Sequence, residues 1–285
     1  MLGQDEGTMS RDSVIEQACS LIRDAPIEPD PFPHIVIDGI FPDQYYEELL
    51  RNLPAVSALS IPVKFGMMKI DDDDATFRAL PEAGQRFWAE FDNEVKPPIC
   101  YALLKRYRPY AKEKLSLIFG DCSHKLDLDD LEDRDFRPLR GIVQCRVTGA
   151  RQAVHVDKAT ALFAYLFYFA ADDTLRPFGT IFYEAKNRAK LLELYRANRG
   201  IRAWFPTESE AVTLELEPRT PLEFCRNRLV SYVNLPYSLH GVATDASAPR
   251  YSMQSFCDLP LRITLPLYEG WTDSISPTGS YRGDG

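Results

Sequence analysis

The sequence predicts an α+β protein in which helices come first and strands second. The strands form a two-sheet jelly roll or sandwich, and the N-terminal helices pack on the outer face of one sheet. Two observations predict this. Up to residue 119 the apolar residues recur mainly at helical spacing, and from about residue 139 they fall in short runs broken by Gly, Pro and Asn, the texture of a sandwich or barrel. No internal repeat competes with that reading.

Within the first part, residues 11–24 place Val14, Ile15, Ala18, Leu21 and Ile22 on one helical face. A proline-rich turn, PIEPDPFP, leads to a short strand over 34–37, and Pro42 and Asp43 suit the first turn of a helix that runs to about Leu53 and is closed by Pro54. The charge run at 70–74 reads as a solvated loop. Helices are expected over 82–93 and 99–119, the second kinked at Pro109, with Gly120 as its cap. The stretch 121–140 is charged and loop-like. Its Asp127, Asp129, Asp130, Glu132, Asp133 and Asp135 lack the glycine an EF-hand loop needs. Strands follow at 141–147, 154–157, 162–169, 180–184, 212–216, 229–234, 240–242 and 251–258, with one helical insert at 187–198.

Composition narrows the function classes. The chain has 285 residues, 45% of them hydrophobic, and a formal net charge of -9, which disfavours a nucleic-acid backbone as partner. The cysteines Cys19, Cys100, Cys122, Cys145, Cys225 and Cys257 are scattered with no CxxC pair, so a thiolate zinc site is not expected and reduced, mostly buried thiols are. The polar N-terminus has no signal-peptide core, and the longest apolar run, 159–171, is too short to span a bilayer. The expectation is a cytoplasmic protein with no membrane and no nucleic-acid partner.

Chemistry concentrates in the second part. Of the four histidines, His34 precedes a strand and reads as structural, and His124 lies in the charged loop. His155 and Asp157 are i and i+2 at the end of an expected strand, so an imidazole and a carboxylate aim at one point. His240 lies on a much later strand, which a two-sheet barrel can set beside the first. Two histidines and one carboxylate on one face of a metal leave the opposite face open, the facial triad of non-haem Fe(II) sites. Arg250 and Ser252 are likewise i and i+2, and together make a carboxylate anchor from a guanidinium fork and a hydroxyl.

With those residues in hand, the chain resembles the 2-oxoglutarate- and Fe(II)-dependent dioxygenase superfamily, particularly its prolyl-hydroxylase-like branch. The resemblance rests on five pieces in order: His155-Val156-Asp157, Gly179-Thr180-Ile181-Phe182-Tyr183, Asn227-Arg228-Leu229-Val230, Ser238-Leu239-His240-Gly241-Val242 and Arg250-Tyr251-Ser252. It covers about residues 139–260, and the opening PFPHIVIDGIFPDQYYEELL is similar to the strand and helix common in that branch. The resemblance implies a double-stranded β-helix (jelly-roll) core over 139–265, preceded by a helical region over 1–138 with its charged loop at 121–137 and followed by a tail over 266–285, and one compact domain in all is expected. It also implies iron on His155, Asp157 and His240, 2-oxoglutarate on Arg250 and Ser252, O2 as co-substrate, and succinate and CO2 as products. Where many members carry Tyr three residues before a glycine, this chain has Arg146 before Gly149, and Leu239 stands where many have Trp. Gln144 and Arg146, i and i+2, either supply the second co-substrate contact or are polar residues on a solvated strand face. Asp157 argues against a halogenase, in which that carboxylate is missing.

Substrate contacts are expected from loops at the barrel mouth and from the helical N-terminal half, with the acidic loop 71–74, residues 65–69, the segment 121–137 and the insert 186–206 as candidates. In the last, Arg188, Lys190, Arg196, Arg199 and Arg202 either read an anion or, the favoured reading, form a solvated helix face. A small-molecule substrate is preferred over a peptide, and a cupin-like binding module with a structural metal is the non-catalytic rival. Arg250 and Ser252 discriminate against that rival, which needs no distal carboxylate anchor.

Overall fold

Ser10 opens the first helix by accepting a hydrogen bond from the Ser13 amide, and the apolar stripe of α1 (Arg11–Asp24) buries Val14, Ala18 and Ile22. The computed structural model describes residues 10–59, 65–119, 132–147, 151–197, 203–243 and 248–260. After α1 come β1 (His34–Asp38), α2 (Asp43–Arg51), β2 (Phe65–Lys69), α3 (Ala75–Arg78), α4 (Glu82–Glu90), α5 (Lys96–Tyr107) and α6 (Pro109–Phe119). The second part holds β3 (Arg137–Pro138), β4 (Ile142–Arg146), β5 (Arg151–His155), β6 (Ala161–Phe169), β7 (Ile181–Ala185), α7 (Arg188–Ala197), α8 (Glu208–Thr213), β8 (Leu216–Pro218), β9 (Arg228–Val233), β10 (His240–Ala243) and β11 (Arg250–Asp258).

The strands form two antiparallel sheets. The larger runs β1-β9-β6-β11-β4-β2, with β3 beside one end of β11, and the smaller runs β5-β10-β7-β8. β6 lies at the centre of the larger sheet and every one of its nine residues is buried. Its alternation feeds two cores. Phe163, Tyr165, Phe167 and Phe169 pack with Trp88, Phe91, Ile99 and Leu103 of the helical layer, while Ala164, Leu166 and Tyr168 face the space between the sheets with Phe32, Phe182, Val230 and Tyr232. That two-sided burial explains why 159–171 reads as one continuous apolar run. No helix among the described residues is long and apolar enough to cross a membrane.

Several expectations are corrected. Residues 212–216, expected as one strand, are instead the end of helix α8 at Val212 and Thr213, a turn at Leu214 and Glu215, and only then the first residue of β8, Leu216. Thr207 caps that helix in a capping box with Glu210, a local signal that outweighs the β-branched residues beyond it. Residues 65–69, expected only as a substrate-contact segment, form β2, which pairs with β4 from Phe65↔Arg146 to Lys69↔Ile142. The expected helix over 82–93 passes through a π-helical turn at Phe91–Val95 into α5, and α5 and α6 separate at Arg108, before Pro109. Asp74 is not merely solvated, for its carboxylate caps α3 by accepting from the Thr76 and Phe77 amides. Cys100, Cys145 and Cys257 are buried and free, and Cys19 and Cys225 are partly buried and free. Gly120, Cys122, His124, Arg199 and Arg202 lie outside the described residues.

The π-helical turn has a structural consequence. It sets Asp92 and Lys96 together, both buried, as an ion pair. Lys96 also donates to the Leu139 carbonyl (2.6 Å), and Asp92 accepts from the Gly141 amide (2.8 Å). The pair thereby clamps the helical layer to the entry of β4. Burial pulls the Lys96 ammonium below its ordinary value, against the attraction of Asp92. Lys96→Met should therefore destabilise the protein by about 3–5 kcal/mol, because it leaves a carboxylate buried alone, and Asp92→Leu/Lys96→Met should recover most of that loss. Urea unfolding of the single and double variants measures both.

Candidate metal centre

The smaller sheet brings the two ligand segments together. β10 runs antiparallel to β5 with His240 directly opposite His155. Between His155 and Gln152 the chain has two residues, where between His240 and Val242 it has one. β5 therefore bulges, and Gly241 faces the bulge. A Cβ at Gly241 would stand 2.9 Å from the Gln152 carbonyl, so the close approach requires glycine. Beyond β5, Val156 pairs with Trp204 through two backbone bonds of 2.9 Å and packs in a separate apolar cluster. That turns Asp157 back inward beside His155.

The three side chains converge. One ligand atom from each of His155, Asp157 and His240 lies within 4.8 Å of the others, and all three residues are buried. His155 Nε2 is 3.6 Å from Asp157 Oδ1, and His240 Nε2 is 3.5 Å from Asp157 Oδ2. Donors bound at about 2.1 Å to one ion lie roughly 3–3.5 Å apart, so these atoms fit a shared metal. Ring orientation agrees. His155 Nδ1 lies 3.0 Å from the Ala153 carbonyl and His240 Nδ1 lies 3.0 Å from the Ser238 carbonyl. A carbonyl only accepts, so both Nδ1 atoms donate and both Nε2 lone pairs turn to the centre.

Electrostatics favour a ligand set in its binding form. Burial works to raise the Asp157 carboxyl, but the neighbouring imidazoles of His240 and His155 and the hydrogen bond from Tyr232 outweigh it and hold the group below its ordinary value. Burial, with the charge of His155, lowers His240 to about 4. The fully buried Lys114 of α6 donates to the Asn234 carbonyl, and burial pulls its ammonium down to about 7 against the charges of Asp157 and Asp258.

A second group of side chains meets the centre from the larger sheet. Arg250 and Ser252 of β11 lie opposite Arg146 and Gln144 of β4, and all four line one small pocket with Gln152, Thr180, Tyr232 and His240. Arg250 Cζ sits 4.2 Å from the Phe224 ring centroid and 5.2 Å from that of Tyr168. Its Nε and Nη2, and the Ser252 hydroxyl, are buried without a hydrogen-bond partner among the described residues. Buried polar groups are nearly always paired, so donors stranded together mark the place of a ligand that accepts. Burial and the charge of Arg250 lower Arg146 to about 10. Gln144 and Arg146 are 6% and 5% exposed, which removes the solvated-face alternative for both.

Several residues at the centre have no counterpart in the sequence reading. The Gln152 amide meets His155 Nε2 at 3.0 Å, and its Oε1 accepts from Arg146. The period-2 rule sets Gln152 and His155 on opposite faces, and only the bulge brings them to one. Tyr232 reaches Asp157 and His240 from β9. Phe205 is half-exposed and stacks on the His155 ring at 4.9 Å and 15°. The other candidates lie apart from the ligands. His34 is buried with Nδ1 2.9 Å from the Phe32 carbonyl. In the basic insert, Arg196 donates to the Leu117 carbonyl, Lys190 pairs with Glu193 and Arg188 lies over Tyr237.

No family model and no curated protein matches the chain. Solved structures similar to it include the non-haem α-ketoglutarate-dependent epimerase SnoN from nogalamycin biosynthesis, at 10% identity over 87% of this chain and 84% of that one, with a TM-score of 0.48. A Pseudomonas putida prolyl-4-hydroxylase is 12% identical over 85% of this chain and 99% of its own, TM-score 0.42. HygX from Streptomyces hygroscopicus, crystallised with nickel and 2-oxoglutarate, is 13% identical over 80% and 83%, TM-score 0.41.

The lowered His240 value gives a pH prediction. The unfolded ring takes a proton near its ordinary 6.5 and the folded ring only near 4, so between these values the unfolded state binds more protons. The stabilising contribution is complete above pH 6.5 and is lost as pH falls toward 4, for a total of about 3 kcal/mol. Denaturant unfolding of metal-free protein across that window should show the loss, and His240→Asn should flatten it.

Proposed function

We propose that the protein is an Fe(II)- and 2-oxoglutarate-dependent oxygenase that hydroxylates a small molecule, and that its two sheets form a double-stranded β-helix, or jelly roll. The observation that carries this reading is the pocket of stranded donors. Arg250 and Ser252 supply buried, unanswered hydrogen bonds for a carboxylate, in a cavity that also contains His240.

The residues present fit the implied groups. His155 and His240 offer imidazoles already turned through their Nδ1 bonds, and Asp157 offers an ionised carboxylate. That donor set, two nitrogens and one oxygen, suits Fe(II) and leaves room for further ligands. When bound, iron with 2-oxoglutarate and O2 supplies the oxidation, giving succinate and CO2.

The chain's own residues bind, orient and exclude water. Arg250 is held against the packed Phe224 and Tyr168 rings, so its fork is fixed before a ligand arrives and little side-chain entropy is lost on binding. Ser252 adds a hydroxyl on the same strand face. Arg146 and Gln144, the cross-strand neighbours of that pair, supply the second co-substrate contact. Phe182, Phe32, Leu166 and Val230 form an apolar floor that keeps water from the reacting groups and strengthens each charge interaction. Phe205, half-exposed beside His155, is placed where a small substrate would approach.

Calorimetry tests the assignment. Protein loaded with Mn(II), a redox-silent substitute, should bind 2-oxoglutarate, and Arg250→Met should weaken it about tenfold to a hundredfold, the worth of a charge-assisted bond. Unchanged affinity in Arg250→Met would remove the carboxylate anchor from the account. With Fe(II) and O2, screening amino acids, other small molecules and peptides for stimulated succinate release separates small-molecule from peptide hydroxylation. No binding of 2-oxoglutarate at all would favour a cupin-like module.

A further inference from the structure

Tyr232 comes to the metal centre from the opposite sheet. It lies on β9 and its side chain is fully buried. The phenol oxygen is 2.7 Å from His240 Nε2 and 3.1 Å from Asp157 Oδ2. The ring is fixed by Phe182 and Phe32, with centroids at 5.6 and 5.9 Å, and it meets the His240 ring at 4.7 Å. Rotation about the ring axis leaves the oxygen where it is, so the hydroxyl stays at the centre whatever that centre holds.

A phenol has one proton to donate, and two acceptors lie within reach. His240 Nδ1 already donates to the Ser238 carbonyl, which leaves Nε2 with a lone pair that competes with Asp157 Oδ2 for the Tyr232 proton. A metal ion needs that same lone pair. Once the ion takes it, Asp157 Oδ2 is the acceptor that remains for the phenol. A carboxylate held through Oδ2 offers Oδ1, the oxygen 3.6 Å from His155 Nε2, to the ion.

We infer that Tyr232 is a fourth protein residue of the metal centre, a positioning residue whose hydrogen bond, shared between His240 and Asp157 in the metal-free centre, goes to Asp157 alone when a divalent cation binds. It holds Asp157 as a one-oxygen ligand and so keeps an additional position on the ion open. The inference rests on the metal reading given above but not on 2-oxoglutarate. Outer residues that orient ligands in this way are generally worth tenfold to a hundredfold in metal affinity.

The test uses Co(II) as probe, with affinity and the visible d–d spectrum as readouts on full-length, metal-free protein. Tyr232→Phe keeps the ring and its packing, and should weaken Co(II) binding about tenfold and change the band shape. Tyr107→Phe is the matched control. It also removes a buried phenol bonded to β9, at the Ser231 carbonyl (3.0 Å), but on the helical side of the sheet, and should alter neither readout. Native affinity and spectrum in Tyr232→Phe overturn the inference, as does an equal loss in Tyr107→Phe, which would trace the effect to general loosening of β9. His155→Ala separates this failure from failure of the metal reading. If His155→Ala binds Co(II) like the native protein, no His155 metal site exists and both fall. A measurement on native protein covers the case of a variant that does not fold. With Fe(III), a direct phenolate ligand gives an intense visible charge-transfer band, so its absence supports the hydrogen-bonding role and its presence overturns it.

Discussion

The pairing of His155 with His240 across β5 and β10 is the contact on which the rest of the centre depends. Antiparallel pairing sets the two imidazoles side by side with ring centroids 4.2 Å apart. The bulge opposite Gly241 then adjusts what surrounds them. It re-aims Gln152 onto His155, and the bridge of Val156 to Trp204 fixes the turn that returns Asp157 to the same point. A register shift of one residue would turn the histidines away from each other. The smaller sheet thus acts chiefly as a ligand holder, and the larger sheet, anchored to the helices through β6, supplies the opposing wall.

That wall is costly to build, and its cost is informative. Arg250 and Arg146 face each other on neighbouring strands, both buried; burial works against the charge of each, and the charge of Arg250 adds to that at Arg146. Cations buried at close quarters oppose folding, and donors left unanswered add to that cost. A fold retains such an arrangement where an anion offsets it. The surrounding apolar layer has the same consequence from the other side, since in a low-dielectric pocket each hydrogen bond to a carboxylate counts for more. The polar chain from Gln254 through Gln144, Arg146 and Gln152 to His155 Nε2 links the wall of β4 and β11 to the histidine pair, so neither half of the site is independent of the other.

Much of this was legible in the sequence where the period-2 rule holds. Arg250 and Ser252, and Gln144 and Arg146, share faces because they are i and i+2 on regular strands, and β11 and β4 bring those faces together. The run over β6 announced a strand buried on both sides. The rule fails where the backbone departs from regularity or where proximity is purely tertiary. Gln152 is three residues from His155 and joins it only through the bulge. Tyr232 is eight residues from His240 in sequence, but it meets that ring across the gap between two sheets, and nothing local in its strand indicates the contact. The segment after Thr207 misled because a capping box overrides the propensity of the residues that follow it. β2 was hidden because FGMMK carries no β-branched residue and gains its strand from pairing with β4.

The central claim is that one pocket holds a metal on three ligands and a 2-oxoacid chelated to that metal. Anaerobic absorption spectroscopy tests it most directly. Fe(II)-loaded protein titrated with 2-oxoglutarate should develop a visible charge-transfer band that needs both components, that succinate cannot elicit, and that is lost in Asp157→Ala. If 2-oxoglutarate binds and the Fe(II) spectrum does not change, the dicarboxylate and the metal occupy separate places and the account is contradicted.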